Sequence, residues 1–192
     1  MRRRHLEYAD RGPFAEAHAS FLAETVVPLV ENRFRTSGER HVLGSSLGGQ
    51  ASMQLMLKYP HLFDGVACLS PYFQSGTLEL VPLVAEKLRS KRIYLDIGGN
   101  LDDREVPWLD LMDHMTPENW WNPGYWWLDT QLQPAVESMK EVLETAGIPF
   151  YLHQEPGGRH NERAWAQRID LPLLHLFGKG LKEEAETMIN FN

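Results

Sequence analysis

Ser46 stands in Gly44-Ser45-Ser46-Leu47-Gly48-Gly49, directly after His41-Val42-Leu43 and before Ala51-Ser52-Met53-Gln54-Leu55-Met56-Leu57, an apolar run of helical period. The pattern predicts strand, sharp turn and helix with a serine at the apex, the arrangement of a nucleophile elbow. Small neighbours let the helix pack close to the strand, so Gly44 and Gly48 are expected to flank Ser46 for steric reasons. The hydroxyl is then pushed out above the strand end. The helix N-terminus adds a positive dipole end and backbone N–H groups that can receive a developing oxyanion. Ser46 is therefore the candidate nucleophile and the Leu47 N–H a candidate oxyanion donor.

A serine hydroxyl attacks poorly unless a base takes its proton and an acid orients that base. In elbow enzymes the chain order is serine, acid, histidine. In open parallel sheets such groups gather beyond the carboxyl ends of the strands. His160 meets both conditions, since it follows the last predicted strand through Gly157-Gly158-Arg159. The other histidines, His5, His18, His41, His61, His114, His153 and His175, fall within predicted strands, helices, termini or the tryptophan-rich stretch. For the acid, Asp102, Asp103 and Glu105 all follow the strand that ends at Ile97; Asp102 is preferred, with Asp103 as second choice. Asp96 lies inside the strand and is less well placed. A metal centre built on His153, His160 and Asp102 lacks the close His-x-His or His-x-x-x-His spacing such sites use. Activity is expected to rise as His160 loses its proton near neutrality.

The elements that must position these groups alternate along the chain. Residues 14–34 carry Phe21, Leu22, Val26, Val27, Leu29 and Val30 at helical spacing, with an interruption expected near Pro28. The helix after Ser46 should run to about Tyr59 before Pro60, followed by a strand over 63–69. Helical pattern over 78–89, a strand over 92–97, an amphipathic helix over 133–146, a strand over 150–155 and a last helix over about 161–178 complete the series. Such alternation predicts one α/β domain over residues 1–192, a mainly parallel sheet flanked by helices.

Composition narrows the function. The 192 residues are 43% hydrophobic, enough for a core, and the net charge of −7 argues against a nucleic-acid surface, which needs clustered Lys and Arg. Arg2-Arg3-Arg4 is followed by His5-Leu6-Glu7-Tyr8-Ala9-Asp10-Arg11 where a signal peptide would be apolar. No apolar run approaches the ~20 residues of a membrane span. The single cysteine, Cys68, excludes an internal disulfide and reads as a buried inert thiol in Gly65-Val66-Ala67-Cys68-Leu69. A cytoplasmic protein with no nucleic-acid or membrane partner is expected.

Several further segments carry a family likeness. Phe21-Leu22-Ala23-Glu24-Thr25-Val26-Val27-Pro28-Leu29, the elbow, Tyr59-Pro60-His61-Leu62-Phe63-Asp64, Leu69-Ser70-Pro71, Tyr94-Leu95-Asp96-Ile97-Gly98-Gly99 and Gly157-Gly158-Arg159-His160-Asn161-Glu162-Arg163-Ala164-Trp165 span almost the whole chain. Together they resemble the putative esterase family of α/β hydrolases, which contains enterochelin esterase-like and esterase D-like enzymes and feruloyl or acetylxylan esterase domains. The resemblance implies a three-layer α/β-hydrolase fold and hydrolysis of a small-molecule carboxylic ester through an acyl-enzyme. It also implies Ser46 as nucleophile, His160 as base, and no metal or organic cofactor. The family's acid corresponds in spacing to Leu101, so Asp102 requires a one-residue shift.

Relatives carry several strands before the helix that leads into the elbow, whereas about forty residues precede the elbow here. The expectation is an N-terminally truncated fold that lacks the loop giving the second oxyanion N–H. The elbow strand then becomes a sheet edge with unpaired backbone groups. Either a truncated gene product or a homodimer through that edge follows. Trp108, Trp120, Trp121, Trp126 and Trp127, five of the six tryptophans, fall in or beside a loop insertion at about 104–130. Trp126, Trp127 and Trp121 are candidate substrate-binding faces, with a satellite core as the plain alternative. Acyl transfer uses the same triad as hydrolysis. A non-catalytic fragment retained for binding or assembly is the rival from another class.

Overall fold

The computed structural model describes residues 4–98, 123–156, 158, 160 and 162–178. Among the described residues, four strands, β1 (His41–Ser45), β2 (Gly65–Leu69), β3 (Arg92–Gly98) and β4 (Tyr151–Glu155), form one parallel sheet in the order β1-β2-β3-β4. Short α1 (Arg4–Tyr8) precedes α2 (Ala15–Ser20), which passes through a π-helical segment, Phe21–Val26, into α3 (Val27–Arg33). The interruption expected near Pro28 is this π segment just before it. Pro28 directly follows that segment in a continuous helical run, so its missing N–H removes one rung of the ladder, while the preceding Val27 N–H bonds five residues back to Leu22 O. The remaining helices are α4 (Leu47–Lys58), α5 (Ser75–Leu80), α6 (Ala85–Leu88), α7 (Pro123–Thr145), α8 (Glu162–Ala166) and α9 (Asp170–Phe177).

Three elements differ from the sequence expectation. The helix expected over 78–89 is broken by a 3₁₀ turn, Pro82–Val84, because a proline cannot continue the α ladder. The helix expected from Gln133 begins at Pro123, ten residues earlier, and carries Pro134 in its interior. The last helix is two, α8 and α9, separated by residues 167–169.

Successive strands lie side by side, so right-handed crossovers place every connecting helix on one face of the sheet. The buried clusters follow this rule. Val66 and Cys68 of β2 and Ile93, Leu95 and Ile97 of β3 pack with Met53 and Met56 of α4, Leu88 of α6, and Val136, Met139 and Leu143 of α7. The opposite face is covered after β4, where Ala67, Leu69 and Tyr94 meet Trp165 of α8 and Leu176 of α9. Strand alternation thus sends odd and even side chains into different layers, the three-layer α/β arrangement expected. Every residue of β2 is buried, as a parallel strand covered on both faces must be. β1 is an edge strand of the described sheet, and its Leu43 is 39% exposed.

At the amino ends of the strands lies a histidine pair. The His41 ring is 2% exposed and stacks edge-on against Phe177 at 4.6 Å, while His175 lies 5.9 Å from Tyr94 and 5.7 Å from Tyr151. Neither ring nitrogen of His41, nor His175 Nε2, has a hydrogen-bond partner. Burial holds His41 below its ordinary pKa, opposed by Glu39 and Asp64 and reinforced by Arg92. Burial, Arg92 and His41 lower His175, against a backbone hydrogen bond at Ile93. Well above about pH 6.5 neither the folded nor the unfolded chain protonates these rings. Below it the unfolded chain takes up protons that the folded chain refuses, so stability falls with pH until the lowered folded values are passed. The melting temperature is therefore expected to drop between pH 7 and pH 5, and His41→Phe is expected to flatten that slope. Melting curves across this range, with and without the substitution, check it.

Candidate active site

The turn expected to be an elbow lies where β1 hands over to α4. Ser46 adopts φ 56 and ψ −127, in the left-handed half of φ where non-glycine residues are rare, and its N–H donates to Leu69 O at 2.9 Å. The sheet ladder therefore runs one residue past the strand and pins the strained turn against the end of β2. Gly44 is required sterically: a Cβ there would lie 2.3 Å from Gly48 O and 2.4 Å from Gly48 C. The same reason does not extend to Gly48, where a Cβ would meet nothing within 4 Å. The second close approach belongs to Gly49, whose Cβ would lie 3.0 Å from Pro71 Cβ and 3.1 Å from Gly44 O. Leu47 opens α4, so its N–H belongs to the first turn, whose donors have no acceptor within the helix.

His160 comes from the turn beyond β4 and its Nε2 lies 3.0 Å from Ser46 Oγ. The ring is 8% exposed and meets Trp165 edge to face, with centroids 5.0 Å apart and planes at 83°. Its loop sits close to the sheet because β3 ends in Gly98, where a Cβ would fall 2.3 Å from Gly158 O. Two groups 114 residues apart are thus brought to hydrogen-bond distance by the ends of β1 and β4, with two strands between them. That distance is the one a serine hydroxyl and a base that takes its proton would need.

Asp102 and Asp103 lie outside the described residues, as does Trp121. Trp126 and Trp127 fall in the first turns of α7, where side chains are not among those described. The remaining histidines have other settings: His153 Nε2 pairs with Glu155 Oε2 at 2.7 Å, and His41 and His175 lie at the far ends of the strands. Cys68 is wholly buried, its Sγ–H donating to Gly49 O at 3.2 Å, and burial pushes the thiol pKa up. Among the described residues no group of three or more His, Cys, Asp or Glu could hold a metal ion, and no helix is long and apolar enough to cross a membrane.

Sequence reasoning missed what lies directly beneath the pair. Asp96, fully buried on β3, accepts from Arg168 Nε at Oδ2 and from Arg168 Nη2 at Oδ1, each at 3.1 Å. Its Oδ1 also accepts the Ser70 N–H at 2.9 Å. Both oxygens are thus engaged by Arg168 and Ser70. Ser70, at φ 41, carries a hydroxyl that accepts from Trp165 Nε1–H at 3.2 Å and from Arg168 Nη2–H at 3.1 Å. A signal was available: a carboxylate in the middle of an apolar strand needs a buried cation, and Asp96 shares the strand face of Tyr94, the face that the last helices cover.

The sequence of residues 2–176 matches the family model described as "Putative esterase". The uncharacterized protein YbbA of Bacillus subtilis is 28% identical over 176 residues, which is 90% of this chain and 64% of that protein. Among solved structures, a ferulic acid esterase is similar over 82% of this chain and 60% of its own, at 16% identity and TM-score 0.59. An IroE-like serine hydrolase from Shewanella oneidensis is similar over 81% of this chain and 46% of its own, at 17% identity and TM-score 0.57. The chain therefore spans about half to two thirds of the length of these three proteins. At these identities the structures establish likeness of fold, that of the α/β-hydrolase esterases.

Proposed function

The chain belongs to the Putative esterase family, and from that premise we propose that it hydrolyses small-molecule carboxylic esters through an acyl-enzyme on Ser46. One observation carries the proposal: the 3.0 Å hydrogen bond between Ser46 Oγ and His160 Nε2 across the strand ends. Ser46 Oγ attacks the ester carbonyl carbon while His160 Nε2 takes its proton, and the carbonyl oxygen becomes an oxyanion facing the Leu47 N–H. The bond to the alcohol oxygen then breaks as His160 returns the proton to that oxygen. Water adds to the acyl carbon, His160 removing its proton, and the carboxylic acid leaves as Ser46 recovers its hydrogen. Asp102, or Asp103 in its place, is assigned to hold the imidazole. Trp121, Trp126 and Trp127 are assigned to the acyl or alcohol part of the substrate. The strained Ser46 backbone supports the proposal, because a φ of 56 at a non-glycine residue is maintained where the fold needs the side chain exposed.

A fluorophosphonate probe tests this directly, since it phosphonylates only an activated serine. One adduct is expected, located at Ser46 by peptide mass spectrometry and absent from the Ser46→Ala variant. A folded sample that takes no label would leave a binding or assembly domain rather than an enzyme.

A further inference from the structure

We infer that Trp165 is a positioning residue for His160, held in place by the Ser70 hydroxyl and, through it, by the buried Arg168–Asp96 ion pair. The inference rests on the assignment of Ser46 and His160 as nucleophile and base.

A serine hydroxyl has one proton to give and two lone pairs to receive with. At Ser70 all three are used: Trp165 Nε1–H and Arg168 Nη2–H donate to it, and its own proton goes to Asp96 Oδ1 at 3.4 Å. A group filled in this way has no alternative rotamer that keeps its bonds, so it fixes the indole nitrogen at one point. Arg168 is equally constrained, with two bonds to Asp96 and a third from Nη1 to Ala164 O at 3.1 Å. Ser70 is anchored through its backbone, whose N–H reaches both Asp96 O at 3.0 Å and Asp96 Oδ1 at 2.9 Å.

The network joins two parts of the molecule that the proposed chemistry needs in register. Ser70 and Asp96 belong to the strand ends beside the elbow, whereas Trp165 and Arg168 belong to the segment that follows His160. Apolar packing alone, against Ala67, Leu69, Tyr94 and Leu176, would hold the indole in its layer but leave it free to slide in its own plane. The hydrogen bond to Ser70 removes that freedom. Because the Trp165 and His160 rings meet at 83° with centroids 5.0 Å apart, a displacement of the indole becomes a displacement of the imidazole. A 1 Å misplacement of a catalytic group can cost on the order of 10²-fold in rate.

The test compares the parent chain with Ser70→Ala, Trp165→Phe and the double variant. Readouts are the fluorophosphonate labelling rate at Ser46, kcat and KM for p-nitrophenyl acetate, and the melting temperature. Each single change is expected to slow labelling and kcat by about tenfold with KM altered by less than about twofold, the pattern of a lost transition-state alignment. The double variant should be no slower than the slower single, because both changes cut the same bond. Variants that melt earlier yet label and turn over within about twofold of the parent would overturn the inference, since Ser70 and Trp165 would then only stabilise the fold. A double variant slowed by about a hundredfold would also overturn it, by showing independent effects. A parent chain that is not labelled at all overturns the assignment of Ser46 and His160, and this inference with it.

Discussion

Alanine in place of His160 is expected to lower ester turnover by roughly 10⁴ to 10⁶, the range found when one member of a working serine–histidine pair is removed. On the proposed mechanism His160, hydrogen-bonded to Ser46 Oγ, takes the serine's proton. Without it the hydroxyl must attack as a neutral alcohol. Ser46→Ala should cost a similar factor, and the two together no more than either alone, because nucleophile and base act as one unit. Measuring kcat/KM on p-nitrophenyl acetate for the three variants, with melting curves to show that each remains folded, gives the result. A His160→Ala protein that kept a tenth of its activity would place the base elsewhere.

The second large effect is on stability. Arg168→Met leaves the Asp96 carboxylate buried, fully shielded from water and without its cation, so a loss of about 3–5 kcal/mol is expected. Asp96→Leu combined with Arg168→Met removes the stranded charge as well and should recover much of that loss. The Ser70 N–H keeps a partner in that double variant, because it also donates to the backbone oxygen of residue 96. Urea denaturation of the two single variants and the double gives the coupling. If Arg168→Met alone cost less than about 1 kcal/mol, the pair would contribute no more than an exposed ion pair does.

The sheet was legible because its strands are local patterns. Short apolar segments such as Val66–Leu69 and Ile93–Ile97 are bounded by turn residues, and their order in the chain is their order in the sheet. The strand–turn–helix around Ser46 was legible for the same reason, since strand, glycines and helix lie within one continuous stretch. That His160 lies beside Ser46 follows from its position after the last strand of a parallel sheet. The Asp96–Arg168–Ser70–Trp165 network was harder, because it depends on which layer each side chain enters, and that is decided by strand register and crossover handedness rather than by neighbours in sequence. The start of α7 was placed ten residues late, because residues 123–132 were read as part of the tryptophan-rich insertion, although a proline such as Pro123 is compatible with a helix's first turn. The role of Gly48 was assigned from the motif, yet close approach is needed at Gly44 and Gly49, a distinction set by how α4 leans on β1 and β2.

Cys68 turns this architecture into a clock. Its thiol is sealed between β2 and α4, bonded to Gly49 O in the first turn of the elbow helix, and it is the chain's one cysteine. A soluble alkylating reagent can reach it only when α4 lifts from the sheet. The rate of alkylation under native conditions therefore counts the openings of the turn that carries Ser46, separately from global unfolding. With reagent in excess and reclosure slow, that rate becomes the opening rate itself; with reclosure fast, it gives the fraction of molecules whose elbow is momentarily undone.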